Sequence, residues 1–234
     1  MHQTTYTFCK NSLRYLLMAL ALCFNPPLLA QEQNIQPGIN DSYQNPDFEI
    51  WQRRFESPGR EVFDLAEAII DALQLKPGMQ VADIGAGTGL FSRHFAKHVG
   101  NNGKVYAIDI SKEFIRNIIE HAKQSGLTNI EGIVNTDKNI TLAANSIDLA
   151  FVCDTYHHFE YPQSMLQSIR KALRNNGRLV VIDFKKDPKI SNRWVMGHVR
   201  ANHQTVRQEI EQAGFRYIKD EDMLQDNFFM VFEK

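Results

Sequence analysis

VADIGAGTGL, Val81 to Leu90, sets three glycines (Gly85, Gly87 and Gly89) within five positions directly behind an apolar run. Glycine accepts positive φ and carries no Cβ to hold a ligand away, so such a turn between a strand and a helix lets backbone touch a nucleotide. Working outward, "MQVADI", "GKVYAIDI", "NIEGIV", "SIDLAFVCD", "RLVVIDF" and the closing "NFFMVFEK" read as strands. Between them "LFSRHFAKHV", the stretch capped by Ser111, "PQSMLQSIRKAL" and "HQTVRQEIEQAGF" carry apolar residues at helical spacing. A further helix, "REVFDLAEAIIDALQLKPG", precedes the first strand. Several strands are unbroken apolar runs, which predicts a mostly parallel sheet covered on both faces. Repeated βα units with short connections give a doubly wound α/β plan, with ligands beyond the carboxyl ends of the strands.

The loop spacing narrows the ligand. A dinucleotide fingerprint needs glycine or alanine at the sixth position, and counting from Gly85 that position is Leu90. A nicotinamide oxidoreductase is therefore disfavoured. Asp109, twenty residues past Gly89 at the end of the second strand, is placed to accept both hydroxyl protons of a ribose. Asp83, just ahead of the glycines, is placed to meet an ammonium group. An acid facing an amine suits an amino-acid-bearing nucleoside better than a diphosphate.

"VADIGAGTGLFS", "VYAIDIS" and "LRNNGRLVVIDF" together resemble the class I S-adenosylmethionine-dependent methyltransferases, of the type 11 branch that includes ubiquinone/menaquinone-biosynthesis methylases. The likeness spans roughly residues 60 to 215. It implies a Rossmann-like, doubly wound seven-stranded sheet, mostly parallel with an antiparallel last strand, and S-adenosylmethionine as cofactor. Carried over, Gly85, Gly87 and Gly89, with Thr88 among them, line the methionine part; Asp109 and the adjoining Ile110 take the ribose side. The family's usual adenine-binding Asp follows the third strand, where this chain has Thr136 and then Asp137; Asp137 takes that role or forms a turn. Asp154, ending the fourth strand, completes the expected cofactor contacts. A non-catalytic protein that binds S-adenosylmethionine or a related nucleoside would keep the same residues.

"CDTYHHFEYP" follows the fourth strand and is expected to face the transferred methyl, with Tyr156 and His157 as catalytic candidates. In extended backbone neighbouring side chains alternate, so His157 and His158 would not share one pocket. No metal is expected, because adjacent histidines with scattered carboxylates lack ligand spacing. "WVMGHVRANH" reads as an insertion over the site, with His198 and His203 as outside candidates; Asp183 reads as a strand cap. Trp51, Arg53, Arg54 and Phe55 form either a lid or a packed aromatic with a solvated arginine face.

The chain has 234 residues, 43% hydrophobic and 23% charged, enough for one globular core plus extensions. A net charge of −1 without a basic cluster argues against nucleic acid as the main partner; a small-molecule or lipid-like acceptor is expected. Residues 1–30 differ. They hold no Asp or Glu, and Lys10 and Arg14 precede "YLLMALALCF", then "NPPLLA". These are the parts of a signal peptide cleaved after Ala30, implying export to the periplasm. A buried helix or initiation at Met18, with a cytoplasmic protein, stays open. The expected division is a leader (1–30), an exposed arm or linker (31–59) and a methyltransferase domain (60–234). With the leader gone, Cys153 remains the one cysteine, so no intrachain disulfide forms.

Overall fold

A computed structural model of the chain describes Met1, His2 and residues 32–234; residues 3–30 of the predicted leader lie outside the described residues. Residues Gln33–Lys234 form one compact unit, to which all that follows refers. Two short helices, α1 (Phe48–Phe55) and α2 (Glu61–Asp64), lead into α3 (Ala66–Leu73). Alternation then begins: β1 (Gln80–Ile84), α4 (Leu90–Val99), β2 (Lys104–Asp109), α5 (Lys112–Gln124), β3 (Ile130–Val134) and β4 (Ile147–Cys153). After it come α6 (Pro162–Ala172), β5 (Leu173–Phe184), α7 (Arg193–His198), α8 (His203–Gln212), β6 (Arg216–Asp220) and β7 (Asn227–Glu233).

The strands form one seven-stranded sheet in the order β3-β2-β1-β4-β5-β7-β6. β1 pairs in parallel with both β2 and β4, and β7 runs antiparallel to its neighbours β5 and β6. The expected architecture is therefore the observed one. The apolar runs are explained by two cores. On β4 and β5, Ala150, Val152, Leu179 and Val181 pack under α6 and α8. Their neighbours Leu149, Phe151, Val180 and Ile182 pack on the other face under α3 and α4. A strand buried on both faces has no side to leave polar.

Three elements depart from the sequence expectation. β6 reads "RYIKD" and is mostly exposed; an edge strand needs one apolar face at most, and its charges block further pairing, so no alternation marks it. α1 starts at Asp47, whose carboxylate accepts the Ile50 N–H. β5 begins at Leu173, so "RNNG" belongs to the strand and not to the helix end. Among the described residues no helix is long and apolar enough to cross a membrane.

Candidate active site

β1 and β4 are adjacent while their crossovers run to opposite sides, which opens a crevice at their carboxyl ends. A cavity of about 550 Å³ lies there, within the 300–1,000 Å³ usual for small-molecule sites.

The glycine turn forms its floor. Gly85, Gly87 and Gly89 have φ of +72°, +54° and +80°, values that L side chains adopt only at a cost. A Cβ on Gly85 would overlap the Thr155 side chain, so this glycine lets β1 and the segment after β4 close together. Gly85, Gly87 and Thr88 line the cavity. Gly89 does not: it stands behind the turn at the start of α4, where a Cβ would collide with Ile118. Its expected ligand contact is thus corrected to a packing role.

The acids are arranged as the strand order dictates. Asp83, Asp109, Ile110 and Asp137 all line the cavity. The Ser92 hydroxyl donates to Asp83 Oδ2 at 2.6 Å, and burial, reinforced by the Asp109 charge, pushes the Asp83 carboxyl up to about 7. Asp109 accepts the Gly87 N–H at 2.9 Å and the Ser111 N–H at 2.8 Å. Burial raises its carboxyl to about 6, these backbone donors holding it back. The Gly87 bond ties the loop to β2 and orients the carboxylate.

Asp154 also lines the cavity, yet both its oxygens are committed. Arg60 donates to Oδ2 and Asn227 to Oδ1, each at 2.6 Å. It clamps the N-terminal segment to β7. Tyr156 corrects the catalytic expectation: it is fully buried, and its hydroxyl donates to Glu209 at 2.8 Å, away from the cavity.

His157 lies in the wall, 3% exposed. Its Nδ1–H donates to Asp183 Oδ1 at 2.7 Å and its backbone N–H to Oδ2 at 2.9 Å. Burial alone would lower its basicity, but the Asp183 carboxylate outweighs that and raises it. Asp183 is therefore a histidine partner and not merely a strand cap. His158 lines the same cavity, contrary to the alternation argument. The reason is local: Tyr156–His158 is a 3-10 turn, where successive side chains are about 120° apart and not opposed. His198 of α7 joins them, with ring centroids 5.1 Å from His157 and 5.3 Å from His158. Burial drives His158 down to about 3 and lowers His198. His203 points elsewhere, to Asp220.

The segment read as an exposed arm instead roofs the site. Asn40, Ser42, Tyr43, Trp51, Arg54 and Phe55 line the cavity; Arg53 pairs with exposed Glu49. Glu56 fastens the roof, accepting the Thr88 hydroxyl at 2.8 Å and Arg93 at 2.7 Å. Asn40 donates to the His158 carbonyl and Gln36 to that of His198. Tyr43, Trp51 and Phe55 pack as a row of aromatic rings. Only the aromatic–arginine mixture at 51–55 hinted at this from sequence.

A seven-stranded sheet with an antiparallel β7, a glycine turn after β1 and an acid ending β2 defines a class I methyltransferase-type nucleoside site. Comparison with known proteins agrees. Residues 75–227 match the family model of the methyltransferase domain, and the chain belongs to that family. A solved S-adenosylmethionine-dependent methyltransferase from Aquifex aeolicus is 27% identical with a TM-score of 0.72, covering 81% of this chain and 99% of that one. The ubiquinone/menaquinone biosynthesis C-methyltransferase UbiE of Hydrogenovibrio crunogenus is 27% identical over 118 residues, 50% of this chain and 46% of its own. The phosphoethanolamine N-methyltransferase of Triticum aestivum is 25% identical over 177 residues, 73% of this chain and 34% of its own. The chain thus spans half or less of the length of these two curated relatives.

Proposed function

We propose that this protein transfers the methyl group of S-adenosylmethionine to a small-molecule or lipid-like acceptor enclosed under the N-terminal roof. The observation that carries the reading is the Asp109 carboxylate, held at the cavity by the Gly87 and Ser111 N–H groups directly beside the glycine turn. The residues fit the cofactor. Asp109 and Ile110 would hold the ribose, Gly85 and Gly87 leave room for the methionine chain, and Asp83 would face its ammonium group. Thr88 would act through the loop, since its hydroxyl is given to Glu56. Asp137 would meet the adenine, and Asp154 would act indirectly, fixing the roof through Arg60.

The cofactor supplies a methyl carbon already activated by a sulfonium, so alignment and exclusion of water carry most of the task, worth up to about 7–11 kcal/mol. The aromatic roof of Tyr43, Trp51 and Phe55, with Phe184 and Trp194 on the cavity wall, gives an acceptor an apolar face to pack against. The relatives' names, quinone biosynthesis and phosphoethanolamine, support an acceptor of this size. We also propose that residues 1–30 direct export to the periplasm.

Calorimetry with S-adenosylhomocysteine and NAD tests the cofactor: binding of the first at one site and silence with the second is expected, and the reverse refutes it. Formation of S-adenosylhomocysteine in an extract supplied with S-adenosylmethionine tests the reaction. Binding without any turnover would leave a nucleoside-binding protein instead. Cell fractionation with sequencing of the mature N-terminus tests export; a cytosolic chain beginning at Met1 refutes it.

A further inference from the structure

On the acceptor side of the cavity His157, His158 and His198 bring three imidazole nitrogens within 4.8 Å of one another. The outer atom of one ring is fixed. His157 Nδ1–H is held by Asp183, so Nε2 is the nitrogen it offers to the cluster. His158 Nδ1 is buried and has no hydrogen-bond partner, and the same holds for His198 Nε2. Buried polar atoms are normally satisfied, because leaving one bare costs about 1–3 kcal/mol. Two orphans converging with a third ring nitrogen present lone pairs to a shared electrophile. A proton satisfies at most two such nitrogens; a cation satisfies all three.

We propose that His157 Nε2, His158 Nδ1 and His198 Nε2 bind a late first-row divalent metal ion, zinc being the natural occupant, with a fourth position open to the methyl-transfer cavity. Three imidazoles and one open position is the pattern of catalytic zinc, and a carboxylate on the far nitrogen of a ligating histidine is its usual support. Asp183 supplies that carboxylate to His157. Nitrogens at the corners of a tetrahedron with bonds of 2.0–2.1 Å lie about 3.3 Å apart. Ligation therefore draws the nitrogens together by up to about 1.5 Å. His198 can move: it sits on the six-residue α7, stacked 4.5 Å from the half-exposed Trp194 ring.

The ion assigns an acceptor class, an inference that rests on the methyl-transfer reading above. Gly85 and Gly87 line the same cavity as the three histidines, so the ion would share that cavity with the glycine turn. Zinc-bound water ionises near pH 7. A hydroxyl or thiol acceptor gives its proton to the bound hydroxide, which leaves as water, and takes its place on the ion. The acceptor's lone pair then forms the bond to the methyl carbon while the carbon–sulfur bond breaks, its electron pair staying on sulfur.

The test titrates zinc, and separately magnesium, into chelator-treated protein by calorimetry. S-adenosylhomocysteine binding is measured on the same samples as a check of the fold. One equivalent of zinc and no magnesium response are expected. His198→Ala should weaken zinc at least tenfold and Asp183→Asn by about 10–100-fold, whereas His198→Glu, whose carboxylate oxygen reaches about as far as Nε2, should bind zinc more tightly than His198→Ala. Zinc affinity equal in the parent, His158→Ala and His198→Ala overturns the site. So does protein that binds S-adenosylhomocysteine but no stoichiometric zinc. Zinc held by the histidines without S-adenosylhomocysteine binding leaves the metal site standing and removes the methyl-transfer reading.

Discussion

Asp83→Asn separates what the site costs the fold from what it offers a ligand. In the folded chain the Asp83 carboxyl is 3% exposed and raised from 3.8 to about 7, chiefly by burial. The unfolded chain releases that proton near pH 4, the folded chain only near pH 7. Between these values the folded state holds the extra proton, so stability falls as pH rises through the window and levels off above it. At about 1.4 kcal/mol per pH unit, the ionised carboxylate costs the ligand-free protein about 4 kcal/mol at pH 8. Asparagine removes the charge and can still accept the Ser92 hydroxyl through Oδ1. Its N–H groups need acceptors, at about 1–3 kcal/mol, leaving a net gain at pH 8 of about 1–3 kcal/mol. For a domain of this size that is roughly 2–10 °C in melting temperature. The assay is thermal unfolding without ligand at pH 5, 6, 7 and 8. Asp109, raised to about 6, shapes the curve mainly below that pH, and the shifted histidines titrate alike in both proteins, so the difference between parent and variant from pH 6 to 8 isolates Asp83. The parent should lose more stability there than the variant does, so that the gap between them widens toward pH 8. A variant whose melting point drops as steeply as the parent's refutes the buried-charge account. Calorimetry should show the same variant binding S-adenosylhomocysteine more weakly, since the ammonium loses its counter-charge.

Asp109→Ala removes two hydrogen bonds to an ionised acceptor, each about 1.5–3 kcal/mol, and should weaken S-adenosylhomocysteine at least a hundredfold by calorimetry. Because only the ionised carboxylate accepts both hydroxyls, parent affinity should fall as pH drops below about 6; a flat profile between pH 5 and 8 contradicts the assignment. Gly85→Ala adds a Cβ against Thr155 at φ +72° and should lower denaturant stability by about 2–4 kcal/mol; an unchanged midpoint would show that the turn relaxes freely. Tyr156→Phe should cost about 1.5–3 kcal/mol of stability through the lost hydrogen bond to the Glu209 carboxylate, which Arg200 still pairs. It should leave kcat within a few-fold of the parent; a hundredfold loss would restore Tyr156 to the chemistry.

The sequence by itself determined what neighbours in the chain can encode. The double burial of β4, β5 and β7 is written in their unbroken apolar runs. The glycine turn and the acid at the end of β2 are tied to strand ends, so their meeting at one crevice follows once the strands lie parallel. Tertiary structure alone decided the rest. His198 reaches His157 and His158 from about forty residues away, Asp183 becomes a histidine's partner across two adjacent strands, and the polar N-terminal segment folds back as a roof held by Glu56. Such contacts join residues whose local sequence is unremarkable, because the energy that places them comes from packing and hydrogen bonds made only after the sheet has formed. Even the orientation of His157 and His158 turned on a single 3-10 turn, a backbone choice set by the space between β4 and α6 and not by the two residues themselves.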